Sequence, residues 1–293
     1  MTSPKLDRLS ALLQGLAPQV QLSVVSVNPL VGRPCAEESP FLRIYLLKKG
    51  TVQLKTLDQI HHIQSPALIS MRSDQDFELT GLEPQHLCPL MAAETRFVGP
   101  IGALFLEEFQ KARIISLDAC EPSLDLTVAM IEVELKAQRC GHPALLKSAG
   151  DILFIGLLRH MVTHPLALES GIFNGLADPR IAKALVAFHQ DPDVDWSLDR
   201  LAQEAGMSRT AFASKFRQVM GATPGAYMRS IRLAMAQNAV EMGKGLKAAA
   251  RLAGYANASA LSRALSKTKN KTHRFCGSPC LIAAKTSPTS LCH

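Results

Sequence analysis

Short apolar-rich runs recur from position 20 to about 97, at 20–27, 42–47, 52–57, 67–71 and 77–79. Their length and their Val, Ile, Leu and Tyr content predict strands. Lys48-Lys49-Gly50 marks a turn between two of them, and Ser65-Pro66 marks another. Closely spaced short strands predict a small sandwich or barrel. Ahead of them, 6–13 reads as a short amphipathic helix.

After Gly102 the period lengthens to that of a helix. Leu124, Val128, Ile131 and Leu135 form one stripe; Leu145, Leu146, Ile152, Leu153, Leu157 and Met161 form a broader one. Helices over 122–137 and 143–161 follow from these stripes. Positions 169–177, with two glycines and no clear period, read as a linker. Helical segments then run to about Lys267, interrupted at Gly221-Ala-Thr-Pro224.

Two segments in the last third share one shape. The first is Ser197-Leu-Asp-Arg-Leu-Ala-Gln-Glu-Ala205, the turn Gly206-Met207-Ser208, and Arg209-Thr-Ala-Phe-Ala-Ser-Lys-Phe-Arg-Gln-Val219. The second is Leu246-Lys-Ala-Ala-Ala-Arg-Leu-Ala253, the turn Gly254-Tyr255-Ala256-Asn257, and Ala258-Ser-Ala-Leu-Ser-Arg-Ala-Leu265. Gly206 and Gly254 supply the backbone freedom that a tight turn between packed helices needs, and Ser208 suits the cap of the next helix. Each unit reads as a helix-turn-helix whose second helix enters a DNA major groove.

Charge sharpens this picture. Residues 1–178 carry 15 Lys and Arg against 19 Asp and Glu, whereas 179–293 carry 17 against 6. A basic block of this kind is the footprint of phosphate binding, although a solvated basic surface has the same composition. No apolar run reaches the length of a membrane span, and the amino terminus lacks a signal peptide's apolar stretch. A cytoplasmic location without a membrane partner is therefore expected. Cys35, Cys88, Cys120 and Cys140 are scattered, as reduced thiols would be.

The residues Asp178-Pro-Arg-Ile181, Trp196-Ser-Leu-Asp-Arg-Leu-Ala202, Ala205-Gly-Met-Ser-Arg209, Phe212, Phe216, Gly221-Ala-Thr-Pro224 and Tyr227-Met-Arg-Ser-Ile-Arg232 form one ordered series. The stretch 178–232 resembles the DNA-binding domain of the AraC/XylS family of bacterial transcription regulators. The second unit, 246–265, also resembles it, departing at Leu261 and Leu265 where aromatic side chains are usual. Positions from about 20 to 170 look like the cupin-type sensing domain of one branch of the family.

The resemblance implies an α+β multidomain chain: a small cupin-like β-barrel plus helices, then an all-α double helix-turn-helix domain. Its boundaries are 1–170 for effector sensing and dimerisation, 171–178 for a linker, 179–272 for DNA binding, and 273–293 for an irregular tail. Pro224 opens a joining helix to about Met242, roughly 27 Å long at 1.5 Å per residue. Both recognition helices are then expected in successive major grooves, about 34 Å apart.

Position matching assigns Arg209, Thr210, Ala213, Ser214 and Arg217 to the DNA face of the first recognition helix, with Phe212, Phe216 and Val219 in the core. Ala258, Ser259, Ser262 and Arg263 take the same places on the second. Arg is the commonest reader of guanine, while the small Ala213 and Ser214 favour shape and methyl contacts. Lys215, Lys247, Arg251 and Lys267 are assigned to phosphates, as Arg217 also can be. Trp196, the only tryptophan, is expected in the core.

In the barrel, His61 and His62 fall near an expected turn, Asp74, Asp76 and Glu78 follow, and His86 is the one further imidazole nearby. That set does not make a convergent metal site, so neither metal nor cofactor is expected. Arg43, Tyr45, Met71 and Arg72 lie on strands that would line an effector pocket, an Arg suiting a carboxylate or phosphate; Arg43 and Arg72 equally suit a surface. The helices over 122–137 and 143–161 look like the family's dimer-forming pair, or pack within the chain.

The resemblance stops near Thr272. His273, Cys276, Cys280, Cys292 and His293 lie in a Ser/Thr-rich stretch without period, which reads as a shifted reading frame, a disordered tail or a zinc clip. The leading function is a regulator that binds double-stranded promoter DNA, responds to an unknown small-molecule effector, forms a homodimer and touches RNA polymerase. The alternatives are a degenerate relative binding through the first unit only, and a cupin-type enzyme with an accessory basic domain. No nucleophile and base motif supports an enzyme.

Overall fold

The protein is described by a computed structural model at residues 7–27, 29–33, 39–82, 88–117, 122–136, 139–164, 170–192 and 194–273. Helix α1 (Ser10–Leu16) precedes nine strands: β1 (Pro18–Val27), β2 (Leu30–Gly32), β3 (Leu42–Leu47), β4 (Thr51–Thr56), β5 (Ile60–Gln64), β6 (Ala67–Arg72), β7 (Phe77–Gly81), β8 (Cys88–Phe97) and β9 (Arg113–Ser116). Between β8 and β9 lie α2 (Gly102–Leu106) and a 3-10 turn, Glu107–Phe109. The strands form an antiparallel sheet in the order β1-β8-β3-β6-β9, facing a second sheet in the order β2-β7-β4-β5.

The alternation along β3 explains an apolar run broken only at Arg43. Leu42, Ile44 and Leu46 join the core under the helices, while Tyr45 and Leu47 join the core between the sheets. A strand buried on both faces has no polar face to alternate with. Helices α3 (Pro122–Lys136) and α4 (His142–Thr163) pack together, with α4 against β1. Among the described residues, no helix is long and apolar enough to cross a membrane.

Several expectations change. Positions 61 and 62 lie on strand β5 rather than in a turn, with His62 opposite Gln53. The region after Gly102 is not wholly helical, since β9 pairs with β6 there. The first helix begins at Ser10, four residues later than expected from 6. Positions 172–177 form a helix, α5 (Ile172–Ala177), with Ile172, Phe173 and Leu176 buried, rather than an open linker.

The remaining helices are α6 (Pro179–Gln190), α7 (Leu198–Glu204), α8 (Arg209–Met220), α9 (Pro224–Glu241), α10 (Leu246–Leu252) and α11 (Ala258–His273). One hydrophobic core runs from α1 and α4 through Phe105, Phe109 and Phe173 into Phe188, Phe212, Phe216 and Ile231. The barrel's helical layer and the first helix-turn-helix therefore share a core. A separate cluster of Ala236, Ala239, Ala249, Ala250, Ala253 and Leu261 underlies the second unit.

Candidate nucleic-acid interface

Side-chain caps set five helix starts in the C-terminal part, whereas α10 starts after Gly245 without one. Asp178 accepts from the N–H groups of Arg180 at 3.0 Å and Ile181 at 3.1 Å, capping α6. Ser197 caps α7 through Arg200 at 3.1 Å, and Ser208 caps α8 through Ala211 at 3.4 Å. Thr223 caps α9 through Ala226 at 3.3 Å, with Pro224 in the first turn, where its missing N–H costs nothing. Asn257 caps α11 through Ala260 at 2.8 Å. Such caps each contribute about 1 kcal/mol.

The two turns match. Gly206 sits at φ 62° and Gly254 at φ 67°, the left-handed region where a side chain is strained. Helix pairs α7–α8 and α10–α11 thus turn alike, joined by α9, whose 18 residues span roughly 27 Å.

Helix α8 divides cleanly. Phe212 and Phe216 are fully buried, their ring centroids 5.5 Å apart, and Phe216 lies 5.8 Å from the Tyr227 ring. Arg209, Thr210, Ser214 and Arg217 are exposed, and Ala213 is half-buried beside them. Arg209 approaches Asp199 at 3.5 Å, but both side chains are about two-thirds exposed, so water and salt screen the pair. Lys215 turns towards the α6 cap, 3.5 Å from Asp178. On α11, Ser259, Ser262 and Arg263 are exposed and Ala258 is half-buried, while Lys247 and Arg251 are exposed on α10. Lys267 lies on α11, but its side chain falls outside the described residues, as do 274–293 with their cysteines.

Trp196 is buried; its indole N–H donates to the Asp191 carbonyl at 2.8 Å, and the Arg200 guanidinium lies 4.3 Å from the ring centre. His189 and Tyr227 share a hydrogen bond of 2.7 Å. Burial pushes the His189 imidazole down to about 4 and the Tyr227 phenol well up, Glu108 adding to the latter.

In the barrel, Arg43 lies opposite Met71 on β6 and Glu94 on β8. Tyr45 and Met71 belong to the core between the sheets, and strand alternation sends Arg43 to the same side. One Arg43 guanidinium nitrogen is buried without a hydrogen-bond partner, and the group lies 5.3 Å from the Phe41 ring and 5.9 Å from Phe77. Arg96 covers Phe41 at 4.3 Å. Burial raises the Tyr45 phenol, Arg43 opposing and Glu94 adding. Arg72 points the other way: it donates to Asp74 at 3.0 and 2.6 Å and to Glu107 at 2.8 Å. Burial alone would lower its guanidinium, but these two carboxylates raise it. Phe41, Phe77, Glu94 and Arg96 therefore accompany Arg43, a grouping set by the register of β3 with β8 and by the packing of β7 in the second sheet. Among the described residues, no cluster of three or more His, Cys, Asp or Glu converges. His86 lies outside them.

Residues 201–273 match the family profile described as a helix-turn-helix domain. An HTH-type transcriptional regulator of Haemophilus influenzae is 31% identical over 119 residues, 41% of this chain and 40% of that protein. An AraC-like transcription regulator of Streptomyces antibioticus is 33% identical over 139 residues, 47% of this chain and 46% of that protein. The activator RclR of Escherichia coli is 23% identical over 225 residues, 74% of this chain and 70% of that protein. The chain thus spans less than half the length of the first two. Apo ToxT from Vibrio cholerae overlaps at 17% identity and a TM-score of 0.35, covering 88% of this chain and 97% of that one. The AraC-like activator CuxR overlaps at 12% and 0.30, covering 72% of each. Overlaps this loose say nothing about ligand or activity.

The double helix-turn-helix geometry defines a DNA-binding class. Together with the matched profile and the AraC-like relatives, it makes this C-terminal region a double helix-turn-helix domain similar to that of AraC-like regulators, carried behind an antiparallel two-sheet β-domain.

Proposed function

We propose that the chain is a sequence-specific transcription regulator that binds double-stranded promoter DNA. The carrying observation is the pair of helix-turn-helix units joined by one 18-residue helix, each with a capped recognition helix that presents an exposed face. In this reading Arg209, Thr210, Ala213, Ser214 and Arg217 meet one major groove, and Ala258, Ser259, Ser262 and Arg263 meet the next. Lys247, Arg251 and Lys267 hold phosphates; Lys215 must leave Asp178 to do so. The domains are 1–170 and 179–272, joined at 171–178, where α5 makes the junction a packed one.

The N-terminal domain takes a small anionic effector between the sheets. The unpartnered Arg43 nitrogen supports this, with Tyr45 and Met71 on the same side. Arg72 is engaged by Asp74 and Glu107, so it contributes least to such a pocket. The reading also holds that the protein works as a cytoplasmic homodimer rather than an enzyme, touching RNA polymerase at its promoter. Leu126, Met130 and Val133 support the dimer, since they form an exposed apolar face at helical spacing on α3.

Selection from a pool of randomised duplexes at graded salt tests this. Enriched sequence motifs carry the reading. Salt-sensitive retention without enrichment overturns it, because phosphate contacts alone give no sequence preference. A second reading, binding through the first unit alone, is favoured by the alanine-rich core of the second; one short motif is its signature.

A further inference from the structure

The 3-10 turn Glu107–Phe109 is gripped from two sides. On the barrel side, Arg72 at the end of β6 donates to Glu107 at 2.8 Å, and the Gln75 amide donates to the carbonyl of Phe109 at 3.0 Å and to that of Gln110. On the other side, the Glu108 carboxylate accepts from the N–H of Ile172 at 2.8 Å, the first residue of α5. Arg113 on β9 steadies Glu108: its Nε donates to the Glu108 carbonyl at 2.8 Å, and its guanidinium lies 3.7 Å from the carboxylate.

The contacts continue into the DNA-binding domain. Gly171 packs so closely on Glu108 that a Cβ there would lie 2.2 Å from the carboxylate. The Gly171 N–H donates to the carbonyl of Val219 at 3.0 Å, in the last turn of the recognition helix α8. At its far end α5 is held by Arg8, which donates to the carbonyls of Leu176 at 2.9 Å and Ala177 at 3.2 Å. Both ends of α5 are therefore anchored on the N-terminal domain, while its entry is bonded to α8.

We infer that the 107–109 turn couples the barrel to the first recognition helix, with Arg72 and Glu108 as positioning residues. The inference rests on the proposed regulator reading. Met71 faces the barrel interior, and Arg72 follows it on the opposite face of the same strand. A shift of β6 against a ligand at Met71 moves Arg72, hence Glu107, hence the carboxylate on which α5 is seated. Packed junctions of this kind have discrete arrangements rather than a continuous range, so a small shift is passed on. Burial raises the Glu108 carboxyl above its usual range, and the Ile172 N–H and Arg113 oppose that shift, so the charge on Glu108 depends on these two contacts.

Hydrogen exchange of the full-length chain tests this without DNA. In Arg72→Met, which touches neither α5 nor α8, exchange at 217–221 rises about 5-fold or more, the lower end of a coupling free energy. Peptides from β1 and the β1-facing part of β8 keep their wild-type rates. Unchanged exchange at 217–221, with β6 and 107–110 loosened, overturns the coupling. Should β1 open too, Glu107→Gln, which keeps the Arg72–Asp74 pair, is read by the same criterion. Failure of the duplex selection with this response intact would remove the regulator reading alone.

Discussion

His189 Nε2 and the Tyr227 hydroxyl, 2.7 Å apart, tie α6 to the joining helix α9 inside a cage of Phe188 and Phe216. This buried bond sits at the root of both helix-turn-helix units, because α9 carries the second. Tyr227→Phe strands a buried imidazole without its partner. The variant is expected to unfold about 1–3 kcal/mol more easily, read from its denaturation midpoint.

The same pair sets a pH dependence. His189 is held near 4 by burial, against about 6.5 in an unfolded chain. Between those values the unfolded chain binds more protons than the native one. Stability therefore falls as pH drops from about 6.5 towards 4, by on the order of 3 kcal/mol. Glu108, raised by burial, acts in the opposite sense over the acid part of this range. Thermal midpoints of the wild type and His189→Gln across pH 7.5 to 4.5 separate the two: the variant loses most of the acid-side decline.

The two units differ in how much they can lose. Phe216→Ala empties a site in the shared core and is expected to cost about 3–5 kcal/mol, unfolding the first unit with the layers beneath it. Leu261 is the one large side chain fully buried in the second unit's cluster of alanines. Leu261→Ala is expected to release 246–266 alone, seen as fast amide exchange there with the first unit protected.

On DNA, Arg209→Ala or Arg263→Ala is expected to relax preference at one base position, by about 1–3 kcal/mol. Lys247→Ala is expected to weaken all sequences alike and to lower the salt slope by about one ion. Binding of each variant to a selected and a scrambled duplex at several salt concentrations distinguishes these effects.

The parts of this fold that are legible in sequence are those with a local cause. The 42–47 run is readable because β3 is buried on both faces, and the start of α9 because Thr223 and Pro224 announce it. The exposed faces of α8 and α11 follow from one turn geometry used twice. By contrast, β9 is four residues long at a sheet edge, and none of them is fully buried. Helix α5 is hidden by its flanking Gly171 and internal Gly175, and is made by burial of Phe173 and by a carboxylate 64 residues earlier in the chain. The partners of Arg43 depend on strand register, which no local pattern carries.

Hydroxyl-radical footprinting on a duplex recovered by selection tests the central claim most directly. Two units on one 18-residue helix should protect two segments on one face of the duplex, about one helical turn apart. Protection confined to a single segment, unchanged by Arg263→Ala, would contradict the reading that both units engage DNA.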